Sequence, residues 1–115
     1  MNFAPDTTTW ADICALEDVP RRGARRLEAG RTPLAIFRAG DDAIFALVDR
    51  CPHKQGPLSM GIVHGHSVTC PLHAWSIDLR SGEPLGADAG KGCTPRFEAR
   101  VENGRILLDA KALTA

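Results

Sequence analysis

The sequence predicts a mostly β fold, a sandwich or small barrel, and three observations lead to that prediction. Short apolar runs alternate with turns rich in Gly and Asp, as at residues 39–42. Apolar residues spaced by three and four never persist for ten positions before the last few residues, so no long amphipathic helix is expected. The 115 residues include 11 Gly and 8 Pro. This length fits one domain, and this composition requires frequent turns.

We expect strands in five parts of the chain. The clearest signal is Asn103-Gly104 between two alternating segments, because both residues tolerate the positive φ of a tight hairpin turn. The expected elements, in chain order, are a half-buried strand at 10–14, a hairpin of 33–38 with 43–49, a hairpin within 62–69, a strand at 75–79, and a hairpin of 96–102 with 105–109. Four arginines within residues 21–26 flank a glycine, which predicts a solvated loop and strand edge rather than a basic helix.

The domain organisation is expected to be simple. Residues 1–9 are predicted to be a flexible lead, 10–109 a single domain and 110–115 a tail that can form one helical turn. The formal net charge is zero and the pI is about 6.9, which argues against a nucleic-acid partner. No secretory signal is recognised, and the longest apolar run, 43–48, is far shorter than the roughly 20 residues of a membrane helix. We therefore expect a soluble, cytoplasmic protein with no membrane partner.

The cysteines and histidines are concentrated in one part of the chain. Two short clusters stand out, Cys51-Pro52-His53 and Cys70-Pro71-Leu72-His73, with sixteen residues between His53 and Cys70. Each cluster follows a predicted strand, so the two loops can converge. Two thiolates and two imidazoles suit either a tetrahedral zinc ion or an iron–sulfur cluster.

The distribution of the four ligands favours the iron–sulfur cluster. Structural zinc sites of mixed ligation usually group Cys with Cys and His with His. Here each loop carries one of each, which fits a [2Fe–2S] cluster with Cys51 and Cys70 on one iron and His53 and His73 on the other. In a reducing cytosol, metal binding is also a better expectation for these cysteines than disulfides.

This pattern resembles the Rieske iron–sulfur motif, and Pro71 and Gly82 add to the resemblance. The resemblance implies a Rieske-type (ISP-like) β fold, with a two-loop cluster-binding subdomain at about 49–95. It further implies a one-electron carrier whose cluster is held by Cys51, His53, Cys70 and His73 and which has no catalytic residue of its own.

A finer resemblance concerns residues 51–59, 61–65, 85–88 and 92–95, which are similar to the small subunit of assimilatory NAD(P)H-dependent nitrite reductase. It implies an oxidoreductase subunit in nitrate assimilation. Its partner would be a large catalytic subunit that holds FAD, a [4Fe–4S] cluster and sirohaem and reduces nitrite to ammonium. Two alternatives stay open: a stand-alone Rieske ferredoxin of an aromatic-ring dioxygenase system, and a redox-inert zinc or interaction module.

Rieske proteins of the bc1 type carry an additional cysteine pair that joins the two cluster loops. The positions that match this pair are Gly56 and Leu72 or their neighbours, which are not cysteines here. The resemblance therefore implies loops held together by packing and hydrogen bonds.

The remaining cysteines and histidines are expected to be structural. Cys14 lies on a predicted strand, where a free cysteine is usually buried. Cys93 lies in a segment similar to the third loop that covers a Rieske cluster, and a structural role is favoured for it, by packing or by hydrogen bonding near the sulfurs. His64 and His66 flank a turn and are expected to be solvated, whereas Trp75 is expected to pack under the second cluster loop.

Overall fold

The mostly β prediction is confirmed by the computed structural model, which describes residues 9–52, 56–72 and 75–114. The secondary structure within these residues consists of strands and short 3-10 helices. The strands are β1 (Trp10–Ala15), β2 (Gly23–Ala29), β3 (Thr32–Arg38), β4 (Ile44–Val48), β5 (Ile62–His64), β6 (Ser67–Thr69), β7 (Ser76–Asp78), β8 (Arg96–Phe97), β9 (Ala99–Glu102) and β10 (Arg105–Asp109). The 3-10 helices are Leu16–Asp18, Leu58–Met60, Gly86–Asp88 and Ala110–Thr114.

The strands form three antiparallel sheets, with orders β1-β10-β9, β2-β3-β4-β8 and β5-β6-β7. The second sheet is covered on both faces. Leu34 packs with Leu108 on one side, and Phe37 packs with Val68 on the other. A strand that is buried on both faces has no polar side to show, which explains the continuous apolar run in β3.

Most predicted hairpins are present, with one difference. Residues 96–102 do not form one strand, because the chain passes from one sheet to another at Glu98. Before this point Phe97 pairs with Ala46 of β4, and after it β9 pairs with β10. The Glu98 carbonyl accepts a hydrogen bond from the Asp109 amide at 2.9 Å, which secures the crossing.

The arginine-rich segment forms β2, which pairs with β3 and lies at the edge of its sheet among the described strands. This agrees with the expected strand edge, although the strand extends to Ala29. Gly30, with φ of 64°, starts the turn to β3, and this left-handed conformation favours glycine. The turn 30–31 therefore lies at the end of the sheet where β4 finishes.

Two strands lead directly into the cysteine loops. β4 ends at Val48, shortly before Cys51, and β6 ends at Thr69, immediately before Cys70. At the opposite ends of these strands, His66 Nε2 lies 2.9 Å from Asp41 Oδ2 and the His66 ring packs on Phe45. His66 is thus more than a solvated turn residue, because it ties the second sheet to the third at the end away from the cysteines.

The helical segments are short. The C-terminal one, Ala110–Thr114, matches the helical turn expected from the sequence. Within the described residues, no helix has the length and apolar character needed to cross a membrane.

An ionic cluster holds the β3–β4 turn. Asp42, which has a positive φ of 68°, accepts hydrogen bonds from Arg21 and Arg38, each at 2.9 Å. Arg38 is buried and also donates to the Val19 carbonyl at 2.9 Å. The hydrogen bond from Arg21, with a further contribution from Arg38, lowers the pKa of Asp42 from 3.8 to about 2.

We predict that Asp42→Asn destabilises the protein at neutral pH and that this difference disappears in acid. A carboxylate whose pKa is lowered by folding stabilises the folded state above its unfolded pKa, and this contribution is lost as the pH falls through the folded value of about 2. Asn tolerates the left-handed backbone, so the substitution tests the charge. Urea unfolding at pH 7, 4 and 2 measures the effect, and a difference that stays constant over this range would contradict it.

Candidate metal centre

The structure brings Cys51 and Cys70 together. Both are free thiols, both are essentially inaccessible to solvent, and they belong to the same apolar cluster. Burial raises the pKa of the Cys70 thiol to about 11, and the hydrogen-bonding contact with Cys51 adds to the increase. Two adjacent buried thiols satisfy few hydrogen bonds themselves, whereas as thiolates they are strong ligands for a soft metal.

The two cysteine loops close in the same way. The Cys51 amide donates to the Gly56 carbonyl at 2.8 Å, and the Cys70 amide donates to the Trp75 carbonyl at 2.7 Å. In each case the cysteine is bonded to the residue five positions later. His53 and His73, the other two predicted ligands, fall in sequence inside these closed loops but lie outside the described residues. Within the described part of the chain, no three His, Cys, Asp or Glu side chains are grouped to hold a metal ion.

A hydrogen bond reaches the second cysteine sulfur. The Leu72 amide donates to Cys70 Sγ at 3.4 Å, and this contact lowers the pKa of Cys70, in opposition to the larger effect of burial. An amide directed at a sulfur favours the thiolate form. The second loop is therefore already arranged to stabilise a negatively charged sulfur.

The Asp49 side chain links the residues on either side of the first cysteine loop. It is fully buried and accepts hydrogen bonds from the Ser59 amide at 2.7 Å and the Ser59 hydroxyl at 2.6 Å. Arg26 Nη1 on β2 lies 3.2 Å from the same carboxylate. A buried carboxylate is costly unless it is paired and hydrogen-bonded, so these partners are required. They join the chain before Cys51 to the chain after Gly56.

The loop before β8 that contains Cys93 and Thr94, the third loop, is anchored by Thr94. This residue is buried, its hydroxyl donates to the Arg50 carbonyl at 3.1 Å, and its amide donates to the Gly82 carbonyl at 2.7 Å. Gly82 has φ of 78°, and a Cβ at this position would overlap the Thr94 carbonyl oxygen. The glycine thus permits the close approach that fixes the third loop against the residue preceding Cys51.

The two cysteine loops touch each other through Gly56 and Leu72. A Cβ built on Gly56 would lie 2.7 Å from Leu72 Cδ1 and 3.6 Å from Leu72 Cβ. The resemblance matches the additional cysteine pair of bc1-type proteins to these positions or their neighbours, and Gly56 and Leu72 lie side by side in the structure. In this chain an apolar contact occupies the place of that cross-link.

The other candidate residues have different settings. Cys14 is buried as expected, and Trp75 packs against the apolar cluster that contains Cys51 and Cys70. His64 is exposed and its Nε2 lies 2.7 Å from Thr69 Oγ1. Cys93 is exposed, so a buried packing role for it is wrong; the buried residue of this segment is its neighbour Thr94.

Asp49, Ser59, Arg26 and Thr94 were not singled out as supports of the site by the sequence. Ser59 belongs to the segment that carries the resemblance, but its role depends on a carboxylate ten residues away. The sequence did contain one signal for Asp49, because an Asp directly after a buried strand requires hydrogen-bond donors. That signal does not identify which residues supply them.

A comparison with protein families finds a match to the Rieske [2Fe-2S] domain over residues 9–98. Among curated proteins, the chain is 39% identical over 75 residues to the anthranilate 1,2-dioxygenase ferredoxin subunit of Burkholderia cepacia, covering 65% of this chain and 68% of the relative.

Two solved structures have similar folds. A chain in the complex of reduced oxygenase and oxidized ferredoxin in carbazole 1,9a-dioxygenase has a TM-score of 0.76 at 30% identity, covering 87% of this chain and 92% of that one. A putative NADH-dependent nitrite reductase small subunit from Mycobacterium tuberculosis has a TM-score of 0.78 at 24% identity, covering 90% of this chain and 96% of that one. The second likeness is evidence of the fold alone.

We predict that Gly82→Ala destabilises the protein by about 1–3 kcal/mol more than Gly65→Ala, because only the first substitution forces overlap with a packed neighbour. Both glycines have positive φ, but a Cβ on Gly65 meets nothing within 4 Å. Both variants therefore share the backbone cost of a left-handed alanine, about 1–2 kcal/mol. Urea unfolding gives the difference, and equal losses would show that the contact with Thr94 is unimportant.

We also predict that the double variant Gly56→Cys, Leu72→Cys forms a disulfide. The Cβ separation of 3.6 Å lies in the range that disulfides adopt. Closing a loop of this length contributes about 3 kcal/mol in the chain-entropy model. Mass spectrometry and thiol counting of the metal-loaded protein measure the bond, with Leu72→Cys alone as the control. Two persistently free thiols would show that the loops do not approach as described.

Proposed function

The chain belongs to the Rieske [2Fe-2S] domain family, and from this we propose that it is a Rieske ferredoxin that delivers single electrons to the oxygenase component of an aromatic-ring dioxygenase. Domains of this family bind a [2Fe–2S] cluster and serve as electron-transfer components of oxidoreductases. When bound, the cluster supplies a one-electron redox couple. The zinc interpretation is therefore not favoured.

We assign the four cluster ligands to Cys51, His53, Cys70 and His73. The observation that supports this assignment is the contact of two buried thiols. Each of these cysteines begins a loop, and its amide donates a hydrogen bond to the carbonyl of the residue five positions later. Each closed loop contains one histidine in its sequence. The donor set fits a cluster with two sulfur and two nitrogen ligands, which is the Rieske arrangement.

The chain's own residues would do three things for this role. Burial of the two sulfur ligands keeps water away from them, the Leu72 amide stabilises negative charge on Cys70, and the Asp49 and Thr94 hydrogen bonds hold the loops in place. A rigid surrounding keeps the ligand geometry similar in both redox states, which favours fast electron transfer. No part of this role requires a general acid, base or nucleophile, so the substrate chemistry is assigned to a partner.

The relatives favour the dioxygenase interpretation over the nitrite reductase one. The anthranilate dioxygenase ferredoxin subunit shares 39% identity with this chain, and the nitrite reductase small subunit of similar fold shares 24%. The ferredoxin relationship therefore carries more information about function. The nitrite reductase small subunit, with a large subunit holding FAD, [4Fe–4S] and sirohaem, is retained as the second candidate. Residues 51–59, 61–65, 85–88 and 92–95 resemble that subunit.

We predict that His73→Ala removes the Rieske cluster while the β fold remains. His64→Ala is the matched control, since His64 is an exposed histidine outside the proposed ligand set. Iron and acid-labile sulfide analysis, electron paramagnetic resonance of the reduced protein, and circular dichroism measure the outcome. A His73→Ala variant with the wild-type spectrum, or loss of the cluster in His64→Ala, would refute the ligand assignment.

The two candidate partners are separated by reconstitution with components from the same organism. We expect the chemically reduced chain to be reoxidised within a catalytic cycle by a dioxygenase oxygenase component, in the presence of oxygen and aromatic substrate. We expect it to give no stimulation of nitrite reduction by a large nitrite reductase subunit. Stimulation of nitrite reduction, with no electron delivery to the oxygenase, would favour the second candidate.

A further inference from the structure

Two adjoining clefts open beside the first cysteine loop. The larger has a volume of about 530 Å³, and its lining includes Cys51, Pro52, Pro95 and Phe97. The smaller, of about 250 Å³, is lined by arginines of β2 and the β2–β3 turn. The clefts share Thr32 and Arg50, so Arg50 stands where the apolar cleft meets the basic one.

The charges at this junction are not neutralised. Eight arginines have a carboxylate within ion-pair distance. Three other arginines have no such partner within residues 9–52, 56–72 and 75–114, namely Arg22, Arg31 and Arg50. Arg31 and Arg50 line the smaller cleft, whose acidic lining residue, Glu28, is already paired with Arg26. Two exposed guanidinium groups therefore create a positive potential next to Cys51.

Arg22, the third unpaired arginine, lies at the other end of the molecule. It borders a cleft formed by Gly40, Asp41, Gly65 and His66. β4 and β6 run from this region toward Cys51 and Cys70, so the strands separate Arg22 from the cysteine loops. Among the described arginines, the unpaired charge near the loops is thus contributed by Arg31 and Arg50, and Arg22 provides a natural control of the same charge.

We propose that the electron-transfer partner binds this side of the first loop through a carboxylate-bearing surface, with Arg31 and Arg50 pairing to its acidic groups. This inference rests on the proposed carrier function and adds the chemistry of the partner. Guanidinium groups bind carboxylates through paired hydrogen bonds, and unneutralised charge near a redox centre accelerates encounter with an oppositely charged partner. The apolar cleft at Pro52, Pro95 and Phe97 accepts an apolar side chain beside those carboxylates.

The docking surface is tested first with small redox reagents of opposite charge. The reduced holoprotein gives one electron to ferricyanide, forming ferrocyanide, or to tris(phenanthroline)cobalt(III), forming the cobalt(II) complex. In the variant Arg31→Glu, Arg50→Glu, we expect the rate constant with the anionic ferricyanide to fall about tenfold at low ionic strength. The rate constant with the cationic cobalt complex should rise, and Arg22→Glu should change both much less.

These opposite changes separate electrostatics from structural damage. A variant that distorts the loops would alter both rate constants in the same direction or shift the measured reduction potential, which is determined for every variant. The inference would be overturned if the rate constants changed no more in the double variant Arg31→Glu, Arg50→Glu than in Arg22→Glu.

The second arm uses the acceptor that takes electrons from the wild-type chain in the reconstitution described above. We expect the bimolecular rate constant for electron delivery to fall with added salt and to fall about tenfold in Arg31→Glu, Arg50→Glu, with little change in Arg22→Glu. A chain that holds its cluster and delivers electrons with no such dependence would disprove the docking surface alone. Absence of the cluster, or of any electron delivery, would disprove the proposed function instead.

Discussion

Two loops have to hold a pair of buried sulfur atoms together without a covalent bond between the loops, and the arrangement of this protein follows from that constraint. Backbone groups outside strands need other hydrogen-bond partners. Each loop therefore closes on itself through its cysteine amide, at 2.8 Å in the first and 2.7 Å in the second. The contact between Gly56 and Leu72 then joins the two loops, and its close approach depends on the missing Cβ of the glycine.

The surrounding fold forms a rigid support for the residues at the ends of these loops. The second sheet is buried on both faces, and it carries the third sheet on one side and the first sheet on the other. Asp49 transmits this rigidity to the first loop, because its buried carboxylate is satisfied only while Ser59 and Arg26 remain in place. Thr94 does the same from the third loop. A site built in this way couples ligand geometry to the packing of the whole domain.

The sequence predicted features that depend on neighbouring residues, but it did not predict contacts between residues far apart in the chain. The turns at Gly65 and Asn103 and the placement of cysteines after strands follow from short patterns, and the structure contains them. The neighbourhood of Gly56 and Leu72 followed from a family resemblance. In contrast, Arg26 and Asp49 are 23 residues apart, and Thr94 and Arg50 are 44 apart. Such pairs depend on which strands become neighbours, and the crossing at Glu98 shows that hairpin patterns do not determine this. The exposure of Cys93 likewise depends on a distant contact, because the neighbouring Thr94 is held inward by its hydrogen bond to Arg50.

The central claim is that two histidines and two cysteines, one of each from each loop, hold one [2Fe–2S] cluster. Pulsed electron paramagnetic resonance of the reduced protein, grown with ¹⁵N-labelled histidine, tests this claim most directly, since it detects nitrogen atoms bonded to the cluster and identifies them as histidine. The account predicts two strongly coupled nitrogens whose signals change with the label. A cluster with no coupled histidine nitrogen, or a paramagnetic centre lacking acid-labile sulfide, would contradict it.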